Sequence, residues 1–193
     1  MSEAHVIGLF PLRLVVVPGE VVPLHIFEER YKRLVGETRE GGEFGIVLAD
    51  EDSLRECGCT VRVAEVLEEL DDGRLNILVE GGRRFRLVEA RAPADPKAEY
   101  LSGLVEYYDD VEPGAPEALR EGVLDVFRKM LVLMDVETPR PPVGGGPLSF
   151  RVAAAVDFGA PLKQELLEAL SEEQRLELHK EREEAIRGNG KGH

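Results

Sequence analysis

Cys57 and Cys59, in the stretch ECGCTVRV, are the only thiols of the chain. A thiolate is a strong nucleophile and a soft metal ligand. Two at this spacing fall short of the four ligands of a structural zinc site. They also miss the C-x-x-C spacing of common redox motifs, and a disulfide between them would close a small strained ring. They read as two reduced side chains at the entrance of a strand. The four histidines, His5, His25, His179 and His193, are scattered, and none stands in an H-E-x-x-H pattern. His25 lies inside an apolar strand and is expected to be a packing residue with its hydrogen bonds met. Carboxylate pairs occur at Asp71-Asp72 and Asp109-Asp110, but both fall at turns or strand ends, where solvated turn chemistry accounts for them. Five serines and several lysines permit a Ser–Lys pair in principle, with no spacing that singles one out. Neither a G-x-x-x-x-G-K-[ST] phosphate loop nor a G-x-S-x-G elbow is present. No catalytic residue, no metal ligand set and no cofactor are expected.

Arg83, Arg84 and Arg86 form a basic cluster within the strands of the first half. Such a cluster could grip an acidic peptide or an RNA phosphate. The ordinary alternative is strand arginines paired with neighbouring glutamates. Charge favours the alternative. The net charge is −14, and up to Pro113 there are 13 basic against 24 acidic residues, a balance of −11. An acidic surface repels phosphate backbones, so nucleic acid is a disfavoured partner. The apolar run from Leu9 to Val17 is broken by Pro11 and Arg13 and has no basic region before it, so it is not read as an export signal. It is also far shorter than the roughly 20 residues that span a bilayer. The cytoplasm is the expected location.

The elements that must carry these residues change period along the chain. The first hundred residues read as short strands. In LVVVPGEVVPLHIF, Pro18-Gly19 signals a turn and Pro23 an edge or bulge, so two short strands around a turn are expected. In FEERYKRLVGE, Phe27, Tyr31, Leu34 and Val35 recur at helical spacing, which predicts a short helix with Gly36 as its stop. Asp72-Gly73 signals a hairpin between CTVRVAEVLEEL and RLNILVEG. RRFRLVEA is read as a further strand after Gly81-Gly82, and EYLSGLVEYY as the last. Tight turns between short strands indicate a mostly antiparallel barrel or curled sheet. From Pro116 the apolar residues follow a helical stripe. Helices are expected at about 116–135, 148–158, 161–170 and 171–187, the last opened by a Ser171/Gln174 capping box. A loop over 137–147 separates the first from the second. The fold class is thus α+β, with a strand-rich domain over 1–113 and a helical bundle over 114–193.

The stretch LFPLRLVVVPGEVVPLHIFEERYKRLV resembles the opening signature of the Lon protease N-terminal, substrate-binding domain family. It carries the Phe-Pro-Leu of Phe10 to Leu12, the Pro18-Gly19 turn, and the run Pro23, Leu24, Ile26, Phe27, Glu28, Arg30, Tyr31. FGIVLAD (Phe44 to Asp50) and DGRLNILVEGGRRFRL (Asp72 to Leu87) are similar to two later blocks of that family. The resemblance implies a β pseudo-barrel of the PUA-like kind with one short helix, followed by helices. It implies a bacterial, non-enzymatic module that binds unfolded or degron-bearing polypeptides, as an adaptor or chaperone-like partner of an AAA+ protease. The chain stops at His193, with neither the ATPase nor the Ser–Lys peptidase that follows in full-length Lon, so proteolysis is not expected. Phe27, Tyr31, Arg84 and Arg86 are the peptide-binding candidates. The alternative is a PUA-like RNA-binding protein, and a small hydrolase is a third reading.

Overall fold

Alternation of apolar and polar residues builds six strands, and helical stripes build five helices, among the residues that the computed structural model describes: 3–50, 53–97, 99–111, 114–134 and 145–189. In chain order these are β1 (Ala4–Leu12), β2 (Val21–Ile26), α1 (Glu29–Thr38), β3 (Phe44–Ala49), β4 (Leu54–Glu69), β5 (Leu75–Arg91) and β6 (Leu101–Tyr107). The helices α2 (Glu117–Leu133), α3 (Leu148–Ala155), α4 (Gly159–Glu168) and α5 (Glu172–Asn189) follow. The architecture is mixed α+β. Most of the 137–147 loop and the 190–193 tail lie outside the described residues.

The sheet order is β2-β5-β4-β3-β1-β6, and β6 also pairs with β5. Five strands therefore close a ring, and β2 hangs on its outside. Every pairing is antiparallel except β1 with β3, which is parallel over Leu9–Leu12. β5 is long enough to serve both roles. Leu75–Glu80 lies between β4 and β2, while Phe85–Arg91 pairs with β6. The Asp72-Gly73 hairpin forms as expected, with Gly73 at φ 79° and the Leu70 amide donating to the Arg74 carbonyl at 2.9 Å.

Three sequence expectations are corrected. Gly81-Gly82 does not separate two strands, because β5 runs through it. Gly36 does not stop α1, which continues to Thr38, whose hydroxyl donates to the Leu34 carbonyl at 2.8 Å. LVVV is not a strand: Val15, Val16 and Val17 are buried, yet the segment from Arg13 to Glu20 joins no ladder. It is a strap. Val16 packs in the ring cluster with Phe10, Phe44 and Ile77. Val15 and Val17 face the other way, onto Phe150, Leu162 and Leu166 of α3 and α4. A third cluster, around Val123, Phe127, Val152 and Leu176, ties α2 and α3 to α5.

The strap dictates the glycine at 81. A Cβ there would lie well inside van der Waals contact with the Val17 carbonyl oxygen. The close approach lets the Gly81 amide donate to the Glu20 carbonyl, and the Gly19 amide to the Gly81 carbonyl, both at 2.8 Å. The strap is thus fastened to the ring on one side and to the helices on the other.

Candidate functional site

Asp110, just past β6, receives two guanidiniums. Arg84 on β5 donates through Nη2 to Oδ1 at 2.6 Å. Arg175 on α5 donates through Nη1 to Oδ1 at 2.6 Å and through Nη2 to Oδ2 at 2.5 Å. Arg84 spends its other nitrogen on the Leu167 and Ala169 carbonyls at the end of α4. Those groups are helix-terminal acceptors left without intrahelical donors. Arg175 is fully buried and also meets Glu172 and the Ser149 hydroxyl. Both guanidiniums stand over the Phe150 ring. Burial works to raise the Asp110 carboxyl, but the Arg175 and Arg84 hydrogen bonds and charges outweigh it and hold the group below the ordinary carboxylate range.

This cluster joins the two halves, and its serine and histidine are not arranged as a nucleophile and its base. Ser149 is fully buried, and its hydroxyl donates to Glu172 at 2.6 Å. His179 reaches the Ser149 carbonyl at 2.9 Å, not its hydroxyl, so no Ser–His activation exists. Burial pushes the His179 imidazole below its ordinary value. A second buried ion pair crosses the halves, Lys163 Nζ on α4 to Glu20 Oε1 at 2.6 Å. The other Glu20 oxygen accepts the Val17 amide at 3.1 Å. Among the described residues no cluster of His, Cys, Asp and Glu could hold a metal ion. No described helix is long and apolar enough to cross a membrane.

What the two halves leave open is a cleft along the strap. One groove, of about 430 Å³, lies between Arg13–Val15 and Val21–Pro23 on one wall and Ala153–Asp157 with Ala160 on the other. A second, of about 650 Å³, lies between Leu48–Asp50 with Arg55 and the α4 residues Ala160, Gln164, Glu165 and Glu168. Arg13 and Ala160 line both, so the grooves meet there. The first groove adjoins β2, which among the described residues has only one strand partner.

The four peptide-binding candidates do not converge. Phe27 is 60% exposed beside β2, before α1 begins, and stacks on His25 with centroids 5.9 Å apart. Tyr31 is buried and stacks on Phe10 at 3.9 Å, a core role. Arg84 is buried in the cluster at Asp110, and Arg86 is exposed on the outside of β5. The expected Arg–Glu pairing is replaced by Arg84–Asp110 and by Arg83 standing 4.0 Å over the Tyr107 ring. Two further readings are corrected. His25 has its hydrogen bond, to Asn76, but is exposed, and the buried histidine is His179. Asp110 is no solvated turn residue. Its side chain is 13% exposed, and two arginines from distant segments need it there. A signal for this cluster does exist in α5. Glu172, Arg175, Leu176 and His179 recur at helical spacing, marking a polar buried face.

Residues 6–181 match the family model of the ATP-dependent protease La (LON) substrate-binding domain. The Lon protease of Brucella suis biovar 1 (strain 1330) is 30% identical over 188 residues, covering 88% of this chain and 22% of that protein. The Lon protease of Azorhizobium caulinodans is 29% identical over 193 residues, covering 90% and 22%. The chain thus spans about a fifth of the length of the curated relatives it matches. Among solved structures, a Lon N-terminal domain protein from Xanthomonas campestris superposes with a TM-score of 0.70 at 25% identity, covering 90% of this chain and 95% of that one. The N-terminal domain of Mycobacterium avium complex Lon protease gives a TM-score of 0.67 at 18% identity, covering 93% and 98%, a likeness of fold alone.

Proposed function

Because the chain belongs to the Lon substrate-binding domain family, we propose that it is a non-enzymatic module that captures non-native polypeptide segments in the cleft along its strap. On this reading the closed ring is the PUA-like pseudo-barrel, 1–113 is the strand domain and 114–193 the helical bundle. The protein works in the cytoplasm as an adaptor or chaperone-like binder that delivers clients to an AAA+ protease.

One observation carries the proposal: two grooves that meet at Arg13 and Ala160 beside a strand with an unpaired edge. A trough bordered by free backbone groups suits an extended chain, whose own amides need partners. The charge of −11 up to Pro113 and the burial of Arg84 at Asp110 speak against the RNA alternative.

Fluorescence anisotropy with a labelled, reduced and unfolded polypeptide tests the idea, with its folded form as control. Saturable binding of the unfolded form alone is expected. Ala160→Arg, which fills the junction of the grooves, is expected to weaken it by about tenfold or more. Equal affinity for folded and unfolded forms, or no binding at micromolar concentrations, sinks the proposal.

A further inference from the structure

We infer that the client is held by strand addition to the free edge of β2, and that the segments selected are apolar stretches flanked by lysine or arginine. The inference rests on the capture reading above and names its geometry and substrate class.

Each of the other five strands has at least two strand partners, whereas among the described residues β2 pairs with β5 alone. One row of β2 backbone amides and carbonyls therefore has no ladder. Natural edges of this kind are guarded by charged side chains, prolines or short length. From Val21 to Phe27 no Lys, Arg, Asp or Glu occurs, in a chain that is 32% charged, and Pro23 is the one guard. The strand is well anchored, with Leu24 and Ile26 buried in the ring cluster. Its outward residues Val21, Pro23, His25 and Phe27 are all exposed, a largely apolar row at every second position.

His25 is fixed in place. Its Nδ1 lies 2.6 Å from Asn76 Oδ1, and Asn76 Nδ2 donates to Glu68 at 2.8 Å. A polar row thus crosses β2, β5 and β4 and holds the ring against Phe27. Across the groove the facing wall includes Ala153, Ala154, Ala155 and Ala160 beside Val156, Asp157 and Lys163, and its alanines leave room for another strand. An added strand would satisfy the β2 groups by main-chain hydrogen bonds and place alternate side chains beside the exposed row.

Charge sets the flanks. Along the cleft Lys163 is neutralised by Glu20, and Arg55 pairs with Asp50 at 3.8 Å. Arg13 is left against Asp157, Glu165 and Glu168. Together with the net charge of −14, this disfavours acidic flanks and favours basic ones.

Backbone N-methylation of the ligand tests the geometry without touching the protein. The probe is a soluble peptide of alternating valine and threonine with lysines at both ends, read by anisotropy. Methylation at every second amide is expected to cost about tenfold per site, with the intervening sites tolerant. Binding that ignores the methyl pattern overturns strand addition while leaving capture of unfolded chains intact. Equal affinity for a glutamate-flanked version overturns the substrate class. If sedimentation shows a dimer that excess peptide does not dissociate, the edge belongs to a second copy and the inference fails. If neither peptide nor unfolded polypeptide binds, the capture reading falls as well.

Discussion

Arg84 and Arg175, from opposite halves of the chain, donate to the same oxygen of Asp110 at 2.6 Å each. One carboxylate thus joins β5 to α5, and the end of α4 is drawn in through the carbonyls that Arg84 caps. With Glu172 the cluster holds two cations and two anions, all largely buried. Buried ion pairs seldom add stability over apolar packing, but removing one member leaves a charge stranded.

Asp110→Ala is therefore expected to destabilise the fold by about 3–5 kcal/mol, a cost attributable to Arg84 left buried without a carboxylate and Arg175 left with Glu172 alone. Urea unfolding followed by circular dichroism reads it out. A loss below about 1 kcal/mol would place the cluster among weak surface pairs.

Acid should weaken the protein in two separate windows. His179 is buried at a cavity of about 10 Å³ walled by Val123, Val126, Phe127 and Met130 of α2, with Phe158 at its edge and Glu172 and Arg175 as the nearby charges. Its Nδ1 has no hydrogen-bond partner among the described residues. The folded imidazole holds its proton less tightly than the unfolded one, so the unfolded state binds more protons as pH falls. Its contribution is complete above the ordinary value of 6.5 and is lost as pH falls below it toward the depressed folded value. The Asp110 contribution is complete above the ordinary 3.8 and disappears as pH falls through its depressed folded value. His179→Gln should flatten the stability profile just below the ordinary value of 6.5 and leave the lower window intact. An unchanged slope there would refute the assignment.

The two thiols should differ in reactivity. Cys59 is fully buried, and burial pushes its thiol up to about 12. Cys57 is half-exposed and is raised as well, again chiefly by burial. A thiol reagent at neutral pH should modify Cys57 slowly and spare Cys59 until denaturant is added. Rapid native labelling of both would contradict the packing of Cys59 against α3 and α4.

The strap offers a steric test. Gly81→Ala would drive a methyl group into the Val17 carbonyl, which is backbone and cannot swing aside. Displacing the strap would disturb both clusters that Val15 to Val17 fill. A loss of about 2 kcal/mol or more is expected, in the range of other overpacking substitutions. Hydrogen exchange should show faster exchange at Gly19 and Gly81 together. Wild-type stability in this variant would show that the strap is not fastened there.

Local patterns reached far into this fold. The Asp72-Gly73 turn, the alternation of Leu75, Ile77 and Val79, and the Ser171–Gln174 cap are all decided by residues within a few positions of one another. The cap forms with Ser171 Oγ accepting the Gln174 amide and Gln174 Oε1 accepting the Leu170 amide. The family, too, was legible, since its signature is made of turn and core residues in fixed order. What lay beyond sequence was whatever depends on a distant neighbour. Glycines at 81 and 82 look like a chain break, yet Gly81 sits within a strand because the Val17 carbonyl occupies the space of a side chain. Valines at 15 to 17 look like a strand, yet helices on one side and the ring on the other hold them as a strap. Arg84 and Asp110 look solvated, and each becomes buried only because the other and Arg175 arrive to neutralise it. Period and propensity act over one turn or one strand, whereas burial and charge pairing are properties of the whole packed chain, and only the tertiary structure decides them.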